Sequence, residues 1–253
     1  MPVAILKDRR IHCEWRGAAP PGPKALVFLH DGLGAVGSWR AVPEQIADRA
    51  GLPALVFDRL GYGRSSPRAD FPFGFMEAEV EPLRELLDGL GVERGCLIGH
   101  SDGGSIALLF AVAYPARAPC VVTEAAHVFV ERETQAGIQA LVDLQEAGQT
   151  PAWLAKLHGV RGEDVLRAWS RGWLTAEHAR WTIERPVGGV RCPLLVIQGD
   201  RDEFGTLAQV EAILRQAPQG ERWVAPGCGH TPHAQAEGDF VARVAEFVAR
   251  QRP

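Results

Sequence analysis

Short apolar runs recur along this chain at residues 25–29, 52–57, 96–98, 120–122 and 193–197, all but that at 120–122 followed by a glycine- or charge-rich turn. A continuous apolar run of four to six residues, without polar alternation, is the signature of a strand buried on both faces of a parallel sheet. Between the runs lie stretches with helical spacing. Residues 38–50 carry Pro43 near the first turn, where proline is tolerated. Residues 75–90 place Val80, Leu83, Leu86, Leu87 and Leu90 on one stripe. Residues 206–216 and 239–251 continue the rhythm, with a short strand expected at 221–224. At the other end, residues 3–15 and their polar continuation predict a hairpin, with Arg16-Gly17 and Pro20-Pro21-Gly22-Pro23 as turns. Strand–helix alternation of this kind predicts an α/β fold: a mostly parallel central sheet with helices on both faces. In such sheets, ligands bind at the C-terminal ends of the strands.

One region breaks the rhythm. Residues 128–186 are rich in helix formers, lack a strand-like run, and hold Trp153, Trp169, Trp173 and Trp181. This predicts a helical lid over a core made of residues 1–127 and 187–253. An aromatic lid supplies an apolar cavity wall, although most of these tryptophans are expected to pack the lid onto the core.

The run at 96–98 leads into Gly99-His100-Ser101-Asp102-Gly103, a G-x-S-x-G pattern, and then into an Ala- and Leu-rich helix. A strand that reverses sharply into a helix crowds its backbone. Glycines two residues either side of the serine remove the Cβ atoms that would collide, and the serine hydroxyl is lifted above the sheet as a nucleophile elbow. The N–H groups of the following helix lie beneath it and favour negative charge.

Composition narrows the partners. The 253 residues suffice for one large α/β domain, and the chain is 46% hydrophobic with a formal net charge of −4. There is no basic stripe to suit nucleic acid, and no apolar run approaching the ~20 residues of a membrane span. Neither a nucleic acid nor a membrane is therefore expected as partner. The five cysteines (Cys13, Cys96, Cys120, Cys192 and Cys228) are scattered, with no C-x-x-C pair. They predict free thiols, with Cys96, Cys120 and Cys192 as buried small hydrophobes, and a cytoplasmic setting. The loop Gly61-Tyr62-Gly63-Arg64-Ser65-Ser66 has a serine where a dinucleotide-binding motif needs its third glycine, so no cofactor is expected.

A serine hydroxyl needs a base, and the base needs a third group to hold its tautomer. Two late loops supply candidates: Gln198-Gly199-Asp200-Arg201-Asp202-Glu203 and Gly227-Cys228-Gly229-His230-Thr231-Pro232-His233. Asp200 and Asp202 compete as the acid, and His230 and His233 as the base. His230 and His233 lack a third ligand at sensible spacing, so no metal is expected. His100 is expected to pack as a structural histidine, directed away from Ser101.

Taken together, Leu29-His30-Asp31-Gly32, Asp58-Arg59-Leu60-Gly61-Tyr62-Gly63-Arg64-Ser65, the serine turn with Gly104, Gly199-Asp200-Arg201-Asp202 and Gly229-His230 resemble the α/β-hydrolase superfamily over nearly the whole chain. That resemblance implies a triad of Ser101, Asp202 and His230, in the order Ser, Asp, His. It also implies an oxyanion hole from the backbone N–H of Asp102 and a second N–H after the first buried strand. Asp31 replaces the usual glycine there, which leaves Gly32 first and Leu33 second, with the Asp31 side chain expected to point away from the site.

The resemblance further implies a serine hydrolase cleaving carboxylic esters of small molecules, similar to the valacyclovir hydrolase-like and ring-fission-product branches. C–C bond hydrolysis of vinylogous diketones is the alternative, and a non-catalytic ligand-binding protein is the alternative of another class. Glu124, Glu131 and Glu133 raise the further option of holding a substrate ammonium, against a plain solvated acidic face.

Overall fold

The computed structural model describes residues 3–6 and 9–251. Among these, β1 (Val3–Leu6) and β2 (Arg9–Arg16) pair antiparallel, with Leu6 opposite Arg9, so a hairpin forms but Arg16 ends its second strand rather than making its turn; residues 7 and 8 lie outside the described residues. β3 (Lys24–Leu29) leads through a 3-10 turn at Val36–Trp39 to α1 (Val42–Ala50), and β4 (Ala54–Phe57) to α2 (Val80–Gly89). β5 (Arg94–His100) runs into α3 (Asp102–Ala113), followed by β6 (Val121–Glu124). The segment between β6 and the next strand holds α4 (Arg132–Glu146), α5 (Ala152–His158), α6 (Gly162–Trp173) and α7 (Glu184–Val187). β7 (Leu194–Gly199), α8 (Leu207–Gln216), β8 (Glu221–Ala225), α9 (Pro232–Gln235) and α10 (Glu237–Gln251) complete the chain.

The strands join in the order β1-β2-β4-β3-β5-β6-β7-β8, parallel from β4 to β8. Alternation divides each buried run between two cores. Val27, Leu29, Leu97 and Val196 face α2, α3 and α8 on one side. Leu26, Phe28, Ile98 and Ile197 face α1 and α10 on the other. This explains the continuous apolar runs: both faces of each strand are covered.

Two expectations are corrected. The stretch 38–50 is not one helix, because Arg40 takes φ 50° and separates the 3-10 turn from α1. Cys96 and Cys120 are not free thiols but a disulfide with Cα atoms 5.0 Å apart. The register explains the pairing: Leu97 lies opposite Val121, so the preceding residues of the two strands are neighbours across the ladder. Cys13, Cys192 and Cys228 remain free. A disulfide also removes the support that free thiols lent to a reducing compartment. No helix among the described residues is long and apolar enough to cross a membrane.

Candidate active site

At the C-terminal end of β5, Ser101 adopts φ 53° and ψ −120° and caps α3. The flanking glycines are obligatory. A Cβ on Gly99 would stand 2.2 Å from the carbonyl oxygen of Gly103, and one on Gly103 would stand 2.2 Å from that of Leu29. The strained serine is thus held by its neighbours, with its own N–H donated to the carbonyl of Glu124 at 2.8 Å. In the first turn of α3 the Gly104 and Ser105 N–H groups donate to the Ser101 carbonyl, at 2.8 and 3.1 Å, whereas those of Asp102 and Gly103 precede the helical ladder and have no acceptor within it.

The two late loops meet at this end of the sheet. His230 Nδ1 donates to Asp202, 2.8 Å from Oδ1 and 3.0 Å from Oδ2. This leaves His230 Nε2 as the acceptor nitrogen. Asp202 also accepts from the Phe204 N–H at 2.8 Å and from the Gln198 amide. Burial would raise its carboxyl, but the charge and hydrogen bond of His230 outweigh burial and hold it below its ordinary value. Asp200, the competing acid, is exposed and accepts from the Gly227 N–H at 2.7 Å instead. His233, the competing base, is turned the other way. Its backbone N–H and its Nδ1 both meet Glu124, at 2.6 and 2.9 Å.

The loop after β3 is pinned from several sides. His30 Nδ1 donates to the Asp31 carbonyl at 2.7 Å, and the fully buried Arg59 donates to the same oxygen at 2.9 Å. His158 donates to the Leu33 carbonyl at 2.7 Å and accepts from Gly63 N–H, so one buried imidazole joins this loop to the glycine loop after β4. The Asp31 carboxylate accepts from the Leu33 N–H at 3.3 Å. Gly32 lies under the Trp169 indole so closely that a Cβ would stand 2.3 Å from its Nε1. That same Nε1 donates to Asp102 Oδ2 at 3.0 Å, with Arg59 at 3.8 Å from the same oxygen. Burial pushes the Asp102 carboxyl up to about 6, against the pull of Arg59 and Trp169.

Ser101, Asp102, Gly32, Asp31 and His230 line one cavity of about 980 Å³, with Trp153, Trp169 and Trp173 among its walls. Trp169, Trp173 and Trp181 are buried, as packing residues would be, whereas Trp153 is 40% exposed. His100 is more than packing. Its Nε2 donates to the His230 carbonyl at 2.8 Å, and its Nδ1 faces Asp31 at 3.7 Å. Although His100, Glu124 and His233 bring ligating atoms within 4.8 Å of one another, these atoms already serve one another and the His230 loop as hydrogen-bond partners.

The acidic trio does not behave as a unit. Glu124 is fully buried against His233, Glu131 accepts from Thr206 and Gln209, and Glu133 is exposed. None of the three lines the cavity, so neither the ammonium site nor a uniform solvated face describes them. Sequence reasoning missed His127, a cavity residue whose ring lies 5.9 Å from that of His230. Burial, then the nearby His230, pushes it down to about 3, so it is a neutral imidazole. It follows β6 with no local pattern to mark it.

Comparison with known proteins gives a consistent lineage. Residues 24–190 match the model of a family described as the alpha/beta hydrolase fold. The serine hydrolase BPHL of Mus musculus is 25% identical over 240 residues, covering 90% of this chain and 80% of that protein. The 2-hydroxy-6-oxononadienedioate/2-hydroxy-6-oxononatrienedioate hydrolase of Comamonas testosteroni is 23% identical, covering 96% of this chain and 93% of that one. Among solved structures, MGS-M2, an alpha/beta hydrolase from a Medee basin deep-sea metagenome library, superposes with a TM-score of 0.80 at 19% identity, covering 97% and 96% of the two chains.

Proposed function

The chain belongs to the alpha/beta hydrolase fold family, and from that premise we propose that it is a serine hydrolase cleaving carboxylic esters of small molecules through an acyl-enzyme on Ser101. The observation that carries this reading is the convergence of a strained serine and an acid-held imidazole on one cavity: Ser101 at φ 53°, and His230 with Nδ1 2.8 Å from Asp202.

In this mechanism Ser101 Oγ attacks the ester carbonyl while His230 Nε2 takes its proton. Asp202 holds the tautomer and stabilises the imidazolium. The backbone N–H groups of Asp102 and Gly32 stabilise the oxyanion. Gly32 is favoured over Leu33 because the Leu33 N–H already has the Asp31 carboxylate as acceptor. His230 then returns the proton to the leaving alcohol. Water, deprotonated by the same nitrogen, releases the acid and regenerates the serine. Residues 128–186 act as the lid over a core of residues 1–127 and 187–253, and their tryptophans shape an apolar pocket for the substrate.

C–C bond hydrolysis is the second reading, favoured by the similarity to the Comamonas testosteroni enzyme, whose name specifies a 2-hydroxy-6-oxo dioate substrate. A side-by-side assay separates the two. Short-chain p-nitrophenyl esters and a vinylogous diketone are offered to the protein and to Ser101→Ala. Ester turnover lost by about 10⁴-fold or more in the variant supports the proposal. Diketone cleavage alone transfers the site to the second reading. Turnover of neither, with Ser101 unlabelled by an organophosphonate, sinks both and leaves a binding protein.

A further inference from the structure

Three non-glycine residues in the described chain have positive φ: Arg40 at 50°, Ser101 at 53° and Ala125 at 51°. Ser101 has a reason for its strain. Arg40 has no such reason in the chain's course, because glycine would make the same turn without a Cβ penalty. Its ψ of −127° is close to the −120° of Ser101, so the two share one disfavoured region. The conformation is enforced by neighbours. The Arg40 N–H meets the Gly37 carbonyl at 3.4 Å, and its own carbonyl accepts from Arg16, itself held by Glu14 at 2.7 Å. Non-glycine residues kept in such regions gather at functional sites.

Arg40 lines the same cavity as Ser101, and so does Lys156 of α5. Both are exposed, which puts them on the open side of the cavity, whereas Ser101 and Trp169 are buried within it. The two elements are adjacent: a Cβ on Gly37, in the 3-10 turn before Arg40, would stand 3.0 Å from Leu157 of α5. Among the described residues neither cation makes an ion pair. The carboxylates that line the cavity are all engaged elsewhere. Asp31 faces Leu33 N–H and His100, Asp102 faces Trp169 and Arg59, and Glu203 accepts from the His230 N–H at 3.1 Å. The cavity therefore has Asp31 and Asp102 committed within it, and at its exposed rim two uncommitted cations beside Glu203, which is held by the His230 N–H.

We propose that Arg40 and Lys156 form an anion subsite at the cavity entrance, and that the preferred substrates are small esters carrying a carboxylate at the end remote from the scissile carbonyl. This rests on the ester-hydrolase reading and narrows its substrate class. An interior carboxylate would approach Asp31 and Asp102; a terminal one meets the two cations of the rim and remains partly hydrated.

The test compares matched pairs of substrates. Mono-p-nitrophenyl esters of glutaric and adipic acids are set against p-nitrophenyl alkanoates of equal chain length. 4-Acetoxybenzoate is set against its methyl ester, which puts the charge on the leaving-group side. The wild type should favour the charged member of at least one pair in kcat/KM. Arg40→Gly, Lys156→Gln and the double variant should lower that charged-to-neutral ratio, chiefly through KM, by about two- to fivefold per cation, and added salt should shrink the preference. Arg40→Gly should also keep or raise Tm, because it relieves a strained backbone. A second readout is independent of turnover: adipate should raise Tm in the wild type and not in the double variant. No preference in either pair, or a ratio untouched by the double variant, overturns the subsite while leaving the ester reading intact. No turnover of any ester sinks the ester reading, and the adipate shift then decides the subsite alone.

Discussion

His100 Nε2 stands 2.8 Å from the carbonyl oxygen of His230, a hydrogen bond that joins the residue before the elbow serine to the loop of the expected base. Because a carbonyl can only accept, that nitrogen carries a proton, and the other nitrogen faces the Asp31 carboxylate at 3.7 Å. Burial would lower this imidazole, but the charge of buried Glu124 and then the Asp31 interaction push it up to about 9. Glu124 is held down, against its burial, by His233 and then His100, and Asp31 by His100 first. A buried layer of alternating charge therefore underlies the site.

That layer predicts a pH dependence of stability. A histidine whose folded value is raised to about 9 binds a proton in the native state that the unfolded chain has released. Its stabilisation is complete below about pH 6.5 and is lost as pH rises towards 9, amounting to at most about 3 kcal/mol. Tm of the wild type should fall across this interval, and His100→Asn should flatten the fall while starting from a lower plateau. The lowered Glu124 and Asp31 work in the opposite direction, adding stability above the usual carboxylate range that is lost on acidification. A wild-type Tm independent of pH from 6.5 to 9 would contradict the charged His100.

Asp200 and Asp202 give a cleaner contrast, since they lie two residues apart on one loop. Asp202 has a fully buried side chain against His230, whereas Asp200 holds a turn through Gly227. Under the proposed mechanism, Asp202→Asn should lower kcat/KM by about 10³- to 10⁴-fold with the fold intact. Asp200→Asn should cost only about 1 kcal/mol of stability and little activity. Equal kinetic losses in both variants would undo the assignment of Asp202.

Much of this arrangement could be read from the chain because it depends on local patterning. Residues 25–29 are apolar without interruption because β3 is covered on both faces, and Ser101 is marked by glycines whose Cβ atoms would strike backbone. What escaped the sequence depends on register and long-range packing. Glu124 reads as a loose acid beside Glu131 and Glu133, yet its partner His233 lies 109 residues away. Cys96 and Cys120 read as small hydrophobes until the strand register sets them side by side. His127 carries no motif and becomes a cavity residue only because β6 ends beside His230.

The disulfide can be counted directly. Denatured without reductant, the chain should titrate as three thiols, Cys13, Cys192 and Cys228, and after reduction as all five cysteines. Cys96→Ala should cost about 3 kcal/mol at 25 °C if the cross-link acts mainly by restricting the unfolded chain. Five thiols before reduction would restore the reading of Cys96 and Cys120 as free core residues.

Gly32 joins backbone geometry to the proposed chemistry. A methyl group there would stand 2.3 Å from Trp169 Nε1, the atom that donates to Asp102 Oδ2 at 3.0 Å. Gly32→Ala must push the indole away, so a buried carboxylate loses a donor, a loss of about 1–3 kcal/mol. The loop bearing the proposed oxyanion donor moves with it, and loss of one such donor lowers kcat by about 10²- to 10³-fold. Gly238→Ala is the control, because its Cβ meets nothing within 4 Å and it lies in α10. That change should raise stability by up to about 1 kcal/mol. Trp169→Phe separates the two effects of Gly32→Ala. It removes the hydrogen bond to Asp102 without adding an atom at Gly32, so it should lower stability as Gly32→Ala does but reduce kcat less. Equal kinetic losses in the two variants would mean that the Trp169–Asp102 contact, rather than the position of the Gly32 N–H, controls the rate.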